Sequence, residues 1–310
     1  MIKYFKTVEN SFLELPDVQE NIWINLSNPT EAELHKISSI CQVPQDYLRA
    51  ALDEEERSRI EFEDNCTLIL VDVPLKESNG DSSIFTTLPL GIVIASDNII
   101  TICTKEIPLL NDFMFGHVKG FYTYKKTRFI LQLLYKNATY YLQYLRQIDR
   151  MSTDIERGLH KSTKNRELFQ LLDLEKSLVY FSTSLRGNSV ILDRMMKLES
   201  IKKYPEDEDL LEDVIIENRQ AIEMANIYTT ILGGMRDAFA SVISNNLNIA
   251  MKFLTSVTIV LTIPTMIASF FGMNVPVPLS NLPHAFMLIL GISFAVSSLV
   301  ALFMAKKKMF

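Results

Sequence analysis

A chain of 310 residues has room for one large domain or two ordinary ones. Its net charge of −6 is unevenly spread: Met1 to Lys252 reads as a soluble protein, whereas no Asp, Glu, Lys or Arg occurs from Phe253 to Ala305. Two successive charge-free stretches argue against a buried hairpin in a water-soluble core. Cys41, Cys66 and Cys103 are odd in number and lack metal spacing, which argues against a disulfide framework or a zinc site and fits a reducing compartment.

The start, "MIKYFKTVENSFLEL", has no apolar core suited to a signal peptide. Up to about residue 105, "IKYFKT", "NIWINL", "CTLILVDV", "PLGIVIAS" and "NIITICT" read as strands, rich in Ile, Val, Thr and aromatics. "KESNGDSS" reads as a loop with Asn79-Gly80 as its turn signal. "NPTEAELHKISSIC" reads as a helix with Thr30 as its cap and acidic Glu31 and Glu33 in the first turn. Residues 1–118 thus form an α/β domain. It contains no Gly-rich phosphate loop, nucleophile elbow or zinc signature, and no clustered nucleophile, base and oxyanion group points to an enzyme.

From about residue 120 the pattern is helical. Two long segments with apolar residues every three or four positions form an antiparallel pair within 119–204. Pro205 suits a first helical position, and Glu206, Asp207, Glu208 and Asp209 suit the positive end of a helix dipole. No proline follows until Pro264, so one helix of roughly 100 Å is expected from about Glu206 to Phe271, with Gly233-Gly234 as a soft point. Residues 205–252 are its stalk and 253–271 its first transmembrane part. Residues 272–284 form an outward loop, 285–305 a second transmembrane helix and 306–310 a basic tail. Each span matches about 30 Å of hydrocarbon. Lys252 and Lys306, Lys307 and Lys308 flank the pair and the loop carries no basic residue. Both termini are therefore expected in the cytoplasm, and the large N-terminal part with them.

On the first span, Asn248, Thr255, Thr262 and Ser269 fall seven apart, and Met251, Thr258 and Thr265 take the companion positions, continued by Gly272. Most hydroxyls therefore share one stripe, while Phe253, Ile259, Val260, Ile263, Ile267 and Phe270 occupy other sides. Two readings stay open: packing between membrane helices, and a water-lined pore. Two helices per chain cannot enclose a channel, so a pore requires several copies around an axis.

The first span ends in Gly272-Met273-Asn274, followed by a short loop, a second span and a Lys-rich tail. In this placement the tripeptide resembles the signature of the CorA-type divalent-cation transporters, and the likeness extends upstream through "SNNLNIAMKFLT". The resemblance implies a funnel-shaped homopentamer in the plasma membrane, of the bacterial inner or cell membrane type. Its cytoplasmic α/β domain, long stalk helix and two C-terminal transmembrane helices would surround a pore lined by the first span. It implies magnesium uptake with cobalt and nickel as minor substrates. It further implies magnesium as a regulatory ion, with neither an organic cofactor nor a nucleic acid as partner. By the same resemblance Gly272, Met273 and Asn274 form the selectivity filter, with Asn274 meeting the metal. Asn248, Met251, Thr255, Thr258, Thr262, Thr265 and Ser269 line the pore, Met251 and Leu254 form a hydrophobic gate, and Asp213 belongs to a regulatory metal site. The alternatives are that Asn274 is a helix C-cap and Asp213 a solvated carboxylate. For the whole chain they are a zinc transporter of the same fold and a non-conducting scaffold or metal sensor. The chain departs from many relatives in having "VPVPLSNLPH" where they carry Met-Pro-Glu-Leu, and Thr262 where they carry Met. Both departures bear on ion identity. His284, the one titratable side chain of the loop, is expected to meet headgroups and water.

Overall fold

The computed structural model describes residues 1–9, 11–63, 66–79, 82–159, 166–198, 204–274 and 284–307. It divides into two compact units, Met1–Met235 and Arg236–Phe310. The segments read above as 1–118, 119–204 and the first part of the stalk fall within the first of these units.

The first unit is built on a seven-stranded sheet. Its strands are β1 (Ile2–Val8), β2 (Ser11–Leu15), β3 (Trp23–Ser27), β4 (Arg59–Glu63), β5 (Cys66–Asn79), β6 (Ser82–Ala95) and β7 (Asn98–Cys103). Their order is β2-β1-β3-β7-β6-β5-β4, and only β3 and β7 run parallel. Strand residues alternate between two faces, as the two-residue period requires. Ile24, Leu68, Leu70 and Ile100 join the core under α1 (Glu31–Cys41) and α2 (Gln45–Ala50). Trp23, Ile69, Val71 and Ile99 join the core under α3 (Pro108–Met114), α4 (Lys126–Leu159) and α5 (Arg166–Met195). Helices thus cover both faces.

Local chemistry fixes several of these elements. The Thr30 hydroxyl accepts from the Glu33 N–H at 3.3 Å, and the Glu33 carboxylate accepts from the Thr30 N–H at 2.8 Å, a reciprocal cap for α1. A Cβ on Gly91 of β6 would lie 2.5 Å from the Cβ of Ala51, so glycine there lets the end of α2 approach the sheet. The reading of "KESNGDSS" as a loop is corrected for its flanks: Lys76 pairs with Phe85 and Asn79 with Ser82, so these residues are strand, while the Gly80 of the turn signal and Asp81 lie outside the described residues. Cross-strand pairing overrides the turn-rich composition, assisted by the Lys105–Glu77 ion pair at 2.6 Å.

Pro89 lies opposite Asp72 and has no N–H to give to the ladder. The Asp72 carbonyl instead accepts from Asn137 Nδ2 and Asn188 Nδ2, both at 2.8 Å, and from the Tyr141 hydroxyl at 3.2 Å. The Asp72 N–H donates to Asn188 Oδ1 at 2.9 Å. A gap in the sheet thereby becomes the point where α4 and α5 are fastened to it.

Helix α6 runs unbroken from Pro205 to Phe271, through Gly233-Gly234 and Pro264. Its first turn carries Glu206, Asp207 and Glu208, of which Glu206 and Asp207 accept from Arg128 at 3.1 and 3.4 Å. Leu211 and Val214 seat the following turn in the core. Helix α7 covers Ala285–Lys306.

Candidate functional site

The site lies on the membrane half of α6, within the second unit. Both α6 and α7 contain stretches long and apolar enough to cross a membrane. At about 100° per residue, α6 shows two contrasting faces. Ser256 is buried at 1 % exposure, and Val257, Val260, Ile263, Pro264, Ile267 and Phe271 are half-buried. Roughly on the opposite side, Asn248, Met251, Thr255, Thr258, Thr262, Thr265 and Ser269 are all exposed, as is Leu254 at the edge of that stripe. In a single chain the hydroxyl stripe is thus turned away from the face that is covered.

The hydroxyls are oriented. Thr258 donates to the Leu254 carbonyl at 2.8 Å, Thr262 to the Thr258 carbonyl at 2.7 Å and Thr265 to the Leu261 carbonyl at 3.0 Å. A threonine hydroxyl has one proton and two lone pairs. With each proton turned back into the helix, what remains facing outward is a ladder of acceptors. Water bound to a cation has its oxygen toward the ion and its hydrogens outward. An acceptor ladder therefore suits the water shell of a cation, all of whose outward groups are hydrogens.

The end of the span is equally specific. The Gly272 N–H reaches the Ala268 and Ser269 carbonyls at 3.0 and 3.2 Å, and the Met273 N–H reaches Phe270 at 3.5 Å. The helix end is therefore closed without Asn274, which is exposed, is not left-handed and makes no hydrogen bond among the described residues. The prolines of the loop fall in 275–283, outside the described residues, and His284 precedes α7 as its N-cap without a side-chain cap bond. Asp213 is exposed on α6, and no cluster of three or more His, Cys, Asp or Glu side chains able to hold a metal occurs among the described residues.

Sequence reasoning passed over the polar fastening around Asp72 and the Arg128 clamp on the start of α6. Each joins residues far apart in the chain, and neither has a local motif. That a threonine can turn its hydroxyl onto its own helix carbonyl is general to the residue, but which hydroxyls do so depends on side-chain rotamer.

An apolar helix pair with an acceptor-lined face and an exposed amide at the end of the first span fits a membrane transport protein for cations. The chain belongs to the CorA-like Mg2+ transporter protein family, whose family model matches residues 18–307. It is 28% identical over 285 residues to the cobalt/magnesium transport protein CorA of Methanocaldococcus jannaschii, covering 89% of this chain and 87% of that one. The complete structure of the CorA magnesium transporter from the same organism superposes with a TM-score of 0.82 at 25% identity, over 98% of this chain and 97% of that one. The full-length CmaX protein shares the fold alone, with a TM-score of 0.70 at 14% identity over 97% and 96% of the two chains. The chain is accordingly a divalent-cation transporter, and neither the zinc-selective nor the non-conducting alternative is favoured.

Proposed function

We propose that several copies of this chain, five by the family resemblance, surround a pore lined by the α6 stripe. The pore takes magnesium into the cytoplasm, with cobalt and nickel as lesser substrates. The observation that carries this reading is the exposed, acceptor-only ladder of Thr258, Thr262 and Thr265. Magnesium holds its waters at about 2.0–2.1 Å and sheds them reluctantly, so a path that binds the waters spares that cost. Asn274 serves as the entry contact, its amide oxygen accepting from the same shell. Met251 and Leu254, both exposed in the single chain, close the inner end by excluding water when the copies draw together. The name carried by the Methanocaldococcus relative supports magnesium and cobalt as cargo.

The membrane is the plasma membrane, with both termini in the cytoplasm, as the lysines flanking the spans support. Regulation by internal magnesium at Asp213 needs a second acid from another copy. Asp213→Ala should then weaken inhibition by internal magnesium, and unchanged inhibition would return Asp213 to an ordinary solvated carboxylate. The whole reading is tested by flux into liposomes holding the purified full chain, with magnesium, cobalt, nickel and zinc in parallel. Magnesium entry that follows an imposed inside-negative potential is the expected result. Absent flux of all four ions, or zinc far ahead of magnesium, would overturn it.

A further inference from the structure

From Ala238 to Phe310 the sequence contains no Asp or Glu, yet lysines collect at one end of the helix pair. Lys252 stands where α6 enters its apolar stretch, Lys306 ends α7 and Lys307 follows as its C-cap. The paths from Lys252 to Gly272 and from Ala285 to Lys306 each rise about 30 Å. A chain that crosses twice ends on the membrane face it left, so the three lysines share that face.

All three are exposed, and none has an ion pair or hydrogen bond from its ammonium group among the described residues. The nearest acid back along α6 is Asp237, about 22 Å from Lys252 by helix rise and already 3.5 Å from Arg236. The negative end of the α7 dipole favours Lys306 and Lys307 in place but neutralises neither charge. Beside the lysines, Phe253, Leu302 and Phe303 are 57%, 71% and 59% exposed. Unpaired cations next to exposed apolar side chains, at the depth where headgroup meets acyl chain, match an amphiphile with an anionic head.

We propose that Lys252, Lys306 and Lys307 form a binding site for anionic phospholipid of the cytoplasmic leaflet. The phosphate lies against the ammonium groups and the acyl chains against Phe253, Leu302 and Phe303. The inference rests on the reading that α6 and α7 span a bilayer. It assigns the missing counter-charge to the lipid, and not to acidic residues elsewhere in this chain or in another copy.

The test uses the full chain reconstituted in phosphatidylcholine vesicles with trace spin-labelled phosphatidylglycerol or phosphatidylcholine. Each lysine near an anionic surface contributes roughly fivefold to association. The motionally restricted fraction should therefore favour phosphatidylglycerol by at least about fivefold at low salt, and the preference should collapse in 1 M salt, where the screening length is about 3 Å. The variant K252Q/K306Q/K307Q should bring the preference close to unity, whereas K252R/K306R/K307R should keep it. A wild-type chain without preference, a preference indifferent to salt, or one unchanged in the Gln variant would overturn the site. Should even phosphatidylcholine show no restricted fraction, the spanning reading itself falls. The salt titration of the wild-type chain decides the matter even where the Gln variant fails to insert.

Discussion

The two units of this chain sort their residues in opposite ways. In Met1–Met235 the innermost side chains are large and apolar: Trp23, Phe85, Phe113, Phe129, Tyr141 and Phe181 are all under 2 % exposed. In Arg236–Phe310 the apolar side chains point outward, with Leu254, Leu261, Phe294 and Leu302 at 60%, 64%, 77% and 71%. The residues buried there include Ser256, Ser293 and Ser297, at 1%, 8% and 8%. Water explains the first pattern, because removing apolar surface from it is favourable. Lipid explains the second. No hydrophobic force separates leucine from acyl chains, so small residues that let helices approach take the inside.

The sharpest way to break that contrast is to separate the units. Residues 1–235 should be soluble without detergent and unfold cooperatively by circular dichroism, while the full chain should require detergent or lipid. A fragment that aggregates or lacks a thermal transition would mean that the first unit depends on the second.

Next in size is the effect of the free amide. Leaving a hydrogen-bonding group unsatisfied costs about 1–3 kcal/mol, so Asn274→Ala, which deprives the ion's waters of their acceptor, should lower magnesium uptake roughly 5- to 100-fold with assembly intact. Near-normal flux in a correctly assembled variant would remove Asn274 from the selectivity contact.

The third test compares the two faces of one helix. Thr262→Val keeps the shape but removes a rung of the ladder, and flux should fall about fivefold, the equivalent of roughly 1 kcal/mol. Val260→Thr, on the half-buried side, should leave flux unchanged. In a background with Cys41, Cys66 and Cys103 replaced, single cysteines at Thr255, Thr258, Thr262 and Ser269 should react with a small hydrophilic thiol reagent. Cysteines at Val260, Ile263 and Ile267 should not, because a thiolate is disfavoured away from water. Reactivity equal on both faces would show that the hydroxyls serve packing and not a pore.

What the sequence could reveal follows from how local each signal is. Helix period exposes the stripe from Asn248 to Ser269, and runs of Ile, Val and Leu expose β5, β6 and β7. The edge strands β2 and β4 were missed because "SFLEL" and "RIEFE" are short and largely open to solvent, so no apolar run marks them. The seven-residue α3 was missed although Pro108 at its first turn is a start signal. The fastening at Asp72 was beyond reach. It draws Asn137, Tyr141 and Asn188 from two helices onto one peptide group of a strand, and only the fold brings them together.

That fastening supplies the smallest and most exacting prediction. Burial pushes the Asp72 carboxyl above its ordinary range, and the hydroxyls of Ser184 and Ser58 pull it back only in part. A raised carboxyl holds its proton more tightly in the folded chain than in the unfolded one, where the value is about 3.9. Its contribution to stability is then fully present below that pH and is lost as pH rises through the folded value, leaving a constant penalty at neutrality. Asp112 behaves oppositely. Burial raises it, but hydrogen bonds from His117, Lys136 and Tyr140 outweigh burial and hold it below its ordinary range, so its stabilisation is lost as pH falls. Asp72→Asn keeps the backbone contacts and removes the charge that burial disfavours. In the 1–235 fragment it should raise the melting temperature by at most a few degrees at neutral pH. The gain should shrink as pH falls through the folded value, where the wild-type group takes up its own proton. A gain independent of pH would assign the effect to packing, and a loss at neutral pH would mean that the carboxylate is needed where it stands.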